Sequence, residues 1–165
     1  MHILYIINYY GGKLIRRIIG IIAGYLAMAV FLFVTFSILY LILGSDGSFK
    51  PGSFQISTAW AVFSIILTSL AAIDGGLVCM LIAKHRGSLY LLAAFILVVG
   101  IASTVPKFSP TDPYANKVRI GHVSNIEAMQ NAIQPVSVLL INPILSAAGI
   151  ILGGNLIKIK SSNKA

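Results

Sequence analysis

Four long apolar runs, at residues 18–43, 57–83, 88–105 and 135–157, occupy most of this chain. Each reaches or exceeds the ~18 to 20 residues that carry a helix across about 30 Å of hydrocarbon. With 58% hydrophobic and 10% charged residues, and a mean hydropathy of +0.93, the chain has too little polar surface to cover itself in water. The pattern predicts an all-α fold, a transmembrane bundle of four helices. The longest stretch outside the runs, residues 106–134, is too short for a core of its own, so residues 1–165 are expected to form a single four-span integral membrane domain.

The cations orient this bundle. Lys13, Arg16, Arg17, Lys84, Arg86, Lys158, Lys160 and Lys164 lie in the N-terminal segment, the second loop and the C-terminal tail, with no acid among them. Lys50, Lys107, Lys117 and Arg119 share the first and third loops with Asp46, Asp112 and Glu127, and nearly cancel. By the positive-inside rule both termini and the tight second loop are cytoplasmic, while the first and third loops face outward. The formal charge of +8 therefore reads as topology and contact with anionic headgroups of the lipid bilayer, and no nucleic-acid partner is expected.

The first run is much longer than the ~7 to 15 residues of a signal-peptide core, so it is read as an uncleaved span. Tyr5, Tyr9 and Tyr10, upstream of it, are aromatics that settle at headgroup depth, which places residues 1–10 along the inner interface. No N-x-S/T sequon occurs, in keeping with a prokaryotic inner membrane. The two halves show no internal repeat.

In the third loop, Pro106, Pro110 and Pro113 favour an extended or turning first half. Ser124-Asn125-Ile126-Glu127 then forms a capping box that predicts a short outward-facing helix over 125–134. Such loops usually only connect.

Small residues recur in helical register within the runs. Gly20 and Gly24, Ala71 and Gly75, Ala72 and Gly76, and Gly149 and Gly153 are each four residues apart, so helices can approach closely at these faces. The third run offers only Ala93, Ala94 and Gly100 and is expected to be the most lipid-facing helix.

Asp74 is the one ionisable residue inside a run whose presence needs an explanation. Taking Trp60 and Lys84 as interfacial anchors, it lies about 3 Å to the cytoplasmic side of the bilayer centre. A carboxylate there costs about 2.5 to 3.5 kcal/mol on insertion scales, which a hydrogen bond, a proton or a wet cavity would offset. Asn142 and Ser146 on the fourth run, and Tyr25 on the first, are candidate partners in an intramembrane polar site. Asn142-Pro143 also predicts a kink, because Pro143 removes a donor and frees the carbonyl of Leu139.

Enzyme chemistry finds little support. His2, His85 and His122 all lie outside the runs, Cys79 is the sole cysteine, and no HExxH, CxxC or phosphate-binding loop occurs. An outer-loop active site would have only His122, Asp112 and Glu127. No metal site and no cofactor are expected. Two readings follow: a structural or accessory membrane protein that works with a membrane-protein partner or as a homo-oligomer, or an oligomeric transporter or channel using Asp74. The charge partition makes its own prediction: a reporter fused within the first or third loop registers outside, and one fused at Arg86 registers inside. A third-loop fusion registering inside overturns the orientation.

Overall fold

The computed structural model describes residues 2–104 and 118–157, with side chains from residue 11 onward. The three loop prolines, the aromatic side chains of the N-terminal segment and the tail lysines lie outside the described residues. The chain is all-helical: α1 (His2–Ser48), α2 (Thr58–Ala83), α3 (Arg86–Ala102), α4 (Asn125–Asn131) and α5 (Val136–Leu156). Residues 11–48 of α1, together with α2 and α5, form three helices long and apolar enough to cross a membrane, and α3 is a shorter apolar helix of 17 residues. Among the described residues there are no strands, only isolated bridges.

α1 is longer than its apolar run and continues through the basic Lys13, Arg16 and Arg17. Its far end breaks at Gly44, whose φ of 63° and ψ of −176° fall in a region essentially reserved for glycine. The chain then folds back. Ser57 starts α2 by accepting the Trp60 amide at 3.1 Å, which satisfies one of the orphan donors of the first turn. At the other end, Lys84 closes α2 in the left-handed conformation with φ 49°, and His85 opens α3 by accepting the Gly87 amide through Nδ1 at 3.0 Å. This cap-to-cap junction makes the turn between the two helices only two residues long.

α2 packs against α1 on one side and α5 on the other, and glycine sets both contacts. A Cβ on Gly20 would lie 2.7 Å from that of Ala83, and one on Gly24 would lie 2.7 Å from the Gly75 carbonyl oxygen. Gly75 in turn receives the side chain of Met28. Towards α5, Gly76 faces the backbone of Ile150, Gly149 faces Ala72, and Gly153 faces the Ile73 carbonyl. Around these contacts lies a core of Met28, Ala72, Cys79, Leu89, Leu92, Ala93 and Ile150.

α3 runs antiparallel to α5 along its length, with Leu89 against Gly154 and Gly100 against Pro143. It buries a stripe of Leu89, Leu92 and Ala93 while leaving Leu91 and Val98 about two-thirds exposed. The expectation of a mainly lipid-facing helix overlooked this stripe, because leucine packs a helix interface without the small-residue signature. The helix of α5 continues through Pro143, whose ring fills the space left by Gly100.

The first and third loops do more than connect. Phe49 bridges Ile56, Ser53 bridges Val118 and Gln55 bridges Ile133, so the two loops are laced together by backbone bonds. The Ile133 amide donates to the Phe54 carbonyl at 2.9 Å, and the Ile56 amide to the Ile133 carbonyl at 3.1 Å. These bonds draw the chain out of α4, so the helix stops at Asn131 and does not reach residue 134. Its start follows the expected cap, with Ser124 Oγ accepting the Glu127 amide at 3.3 Å. Beneath the loops lies a second core of Leu39, Tyr40, Phe49, Phe54, Ile56, Trp60, Val123 and Ala128. Tyr40 and Trp60 meet edge-on at 6.4 Å, as do Phe49 and Phe54 at 5.6 Å.

Enlarging the glycines that touch backbone leaves no flexible neighbour to yield. Gly76→Ala and Gly153→Ala are expected to cost about 1 to 3 kcal/mol each. Gly12→Ala, with open space around it, is expected to leave stability unchanged or slightly raised. Thermal unfolding of the lipid-reconstituted protein distinguishes the two classes.

Candidate functional site

Asp74 directly precedes the packing glycines Gly75 and Gly76 of α2 in sequence but does not share their face. Trp60 and Ser64 are buried near the start of α2, and over the part of the helix that holds Asp74 the buried set is Ala71, Ala72, Gly75, Gly76, Cys79, Met80 and Ala83. At 100° per residue, Asp74 points roughly 150° away from the centre of that set. It shares its stripe with Phe63, Leu70 and Leu81, which are 44%, 48% and 55% exposed. The carboxylate is half-buried among these neighbours and, among the described residues, has no hydrogen-bond or ion-pair partner.

The groups expected around it are elsewhere. Tyr25 meets Phe95 of α3 edge-on, with ring centroids 5.8 Å apart. Asn142 and Ser146 face α3, where they line a cavity of about 210 Å³ with Ile96, Gly100, Ser103, Gln134, Leu139 and Pro143. Asn142 and Ser146 share one stripe of α5 with Gly149 and Gly153, so they lie on its packed side in the angle between α2 and α3, whereas Asp74 faces away from the packed side of α2. Asp74 is on the far side of α2 from both. The structure therefore brings Asn142 and Ser146 together and leaves Asp74 and Tyr25 apart from them.

The Asn142 cavity is polar without being reactive. Asn142 Oδ1 is buried with no hydrogen-bond partner, and Ser146 is 3% exposed. Gly100 and the Pro143 ring pack together in the cavity wall, and the Leu139 carbonyl is freed by the missing proline donor. These groups can accept or exchange hydrogen bonds. Among the described residues that line it there is no acid and no base.

A third polar group, which the loop sequences did not announce, locks the cap to α1. Tyr40 Oη donates to the Val123 carbonyl at 2.6 Å and pairs with Ser45 Oγ at 2.8 Å, and Ser45 Oγ accepts the Val123 amide at 3.1 Å. His122 Nδ1 lies 3.0 Å from the Val123 carbonyl and 3.4 Å from Ser45 Oγ. Arg119, its side chain only 5% exposed, donates to Asp46 Oδ1 at 2.7 Å and to the Gly121 carbonyl at 2.6 Å. Asn125 Nδ2 donates to Ser37 Oγ at 3.0 Å. Of the three residues available to an outer-loop active site, His122 is held in the network, Glu127 contributes its backbone amide and carbonyl to α4, and Asp112 lies outside the described residues. The signal that could have found this cluster was Tyr40-x4-Ser45-Asp46 at the end of the first run, facing a lone Arg-x2-His in the third loop.

Comparison with protein-family models, with curated proteins and with solved structures finds no match to this chain. Function has to be argued from the polar groups above.

Tyr40→Phe is expected to leave the Val123 carbonyl and Ser45 short of a partner inside the cap, at about 1 to 3 kcal/mol. Because Arg119 is held in that cap, the variant is expected to be cut faster by trypsin after Arg119 than the parent protein. An unchanged cleavage rate contradicts the locking role.

Proposed function

We propose that this chain is a four-span integral membrane protein, with both termini cytoplasmic, that acts as a structural or accessory subunit through lateral contact with a partner in the bilayer. The observation that carries the reading is Asp74. A carboxylate at that depth is costly, by about 2.5 to 3.5 kcal/mol, and its own chain supplies no partner among the described residues. It points away from the packed face of α2, so the donor that satisfies it comes from a second chain, a copy of this one or another membrane protein. Interhelical hydrogen bonds of this kind are worth about 1 kcal/mol in lipid and confer register as much as affinity.

The antiparallel packing of α3 and α5 supports a fourth crossing. α3 meets α5 from Gly154 to Pro143, which puts it at the same depth as a helix apolar enough to span. Its 17 residues cover about 25 Å, and Arg86 at one end can reach to the headgroups. The even number of spans, the acid-free cations of the N-terminal segment and second loop, and the missing sequons together support the inner membrane of a prokaryote with both ends inside. The reading assigns the chain no catalysis, no cofactor and no nucleic-acid binding.

A transport mechanism would place Asp74 on a path with Asn142, Ser146 and Tyr25. They occupy three separate places, and Asp74 is absent from the lining of the cavity that holds Asn142 and Ser146.

Photo-crosslinkers incorporated at Leu70 and Leu81 in native membranes are expected to form protein adducts, and those at Leu91 and Val98 of α3 to capture lipid only. Asp74→Leu is expected to abolish the protein adducts, whose mass separates a second copy from a different subunit. Lipid-only adducts at all four positions would rule the reading out.

A further inference from the structure

At the end of the molecule opposite the loop cap, Lys13, Arg16 and Arg17 of α1 meet Ala83, Lys84 and His85 at the α2–α3 turn around a cleft of about 240 Å³. No Asp or Glu occurs in residues 1–45 or 75–111, so the stretches that build the cleft contribute no acidic side chain. Arg16 is already fixed: its Nε donates to the Ile82 carbonyl at 2.7 Å, which leaves its terminal nitrogens to face a ligand. The same bond caps a carbonyl at the C-terminus of α2, where the helix dipole would otherwise oppose an anion. Lys84 is the only non-glycine residue with positive φ among the described residues, at a C-terminal position where glycine is the usual choice. The backbone conformation there suits glycine, and the chain instead presents a cation beside the cleft.

From this geometry we infer that the cleft binds the phosphate group of an anionic membrane phospholipid. Arginine and lysine together suit a phosphate, the guanidinium by paired donors and the ammonium as a point charge. The lipid is favoured over free phosphate by depth, because the cleft lies at the end of α2, a helix long and apolar enough to cross a membrane, and so at the level of the headgroups. The headgroup phosphate would occupy the cleft. Gly20 against Ala83 holds the two helices together directly beside it. The inference rests on the membrane reading but not on Asp74 or on any partner protein.

The test is native mass spectrometry of the full-length protein, released from detergent in the presence of phosphatidylglycerol or of phosphatidylcholine with the same acyl chains. The parent protein is expected to retain phosphatidylglycerol in preference. Arg17→Gln and Lys84→Gly are each expected to lower that preference about fivefold, from the contribution of one cation near an anionic surface. Lys84→Gly suits the left-handed backbone, so its loss of binding cannot be ascribed to misfolding, and Lys84→Arg is expected to restore the preference. Lys50→Gln, in the loop cap, is expected to change nothing. Equal retention of both lipids, an equal loss in Lys50→Gln, or displacement of the lipid by millimolar inorganic phosphate would each overturn the proposal. Failure of the protein to co-float with phosphatidylcholine vesicles would instead count against the membrane reading itself.

Discussion

The close approach of backbones along α2 is the constraint on which the remaining structure depends. In hydrocarbon, apolar side chains gain nothing by leaving lipid for protein, so helices associate through dense contact and through the few hydrogen bonds they can make. Here Gly24 and Gly75 let α1 and α2 touch, and Gly76, Gly149 and Gly153 do the same for α2 and α5. α2 is thereby held between two helices, and α3 completes the arrangement by filling against α5 with leucine. The angular positions of those glycines decide everything polar. They keep Asn142 and Ser146 on the packed side of α5, and they turn Asp74 out of the bundle.

The polar groups consequently fall into zones with different work. The loop cap is a network in which a tyrosine, a serine, a histidine and a buried arginine tie the third loop to the end of α1, with Arg119 Nε and Asn125 Oδ1 left unpaired inside it. The opposite end carries cations without acids, suited to the headgroup region. Between them, Asn142 Oδ1 and the Asp74 carboxylate have no partner among the described residues. A polar atom without a partner is costly in an apolar setting, and it shows where the molecule is incomplete by itself. In Asp74 that incompleteness faces outward, which is the observation behind the accessory role proposed above.

Much of the architecture was legible in the sequence, because spans are written in composition. The apolar runs coincide with α1, α2, α3 and α5, and the capping box at Ser124 starts α4 where the pattern places it. What was not legible is what depends on angle and on distant pairing. Depth along a helix is read by counting residues, and by depth alone Asp74, Asn142, Ser146 and Tyr25 looked like neighbours. Rotation about the axis separates them, and a residue count carries no information about which neighbour a face meets. The loop cap was missed for a related reason: Phe49, Phe54, Ile56 and Val123 form a core only once two loops far apart in sequence are laid together. The stop of α4 at Asn131 follows from the same pairing, since Ile133 leaves the helix to bond with the first loop.

The orientation of α2 is therefore the claim to test first. Carbene footprinting from a lipid-partitioning diazirine, read residue by residue in the purified and reconstituted protein without mutation, reports which face of the helix lipid can reach. For the protein reconstituted as a monomer the account predicts label on Leu70, Asp74 and Leu81 and none on Ala72, Cys79 or Met80, which are fully buried. Label on Cys79 and Met80 with Leu70 and Leu81 protected would mean that Asp74 faces into the bundle, and the case for an outward partner would fall with it.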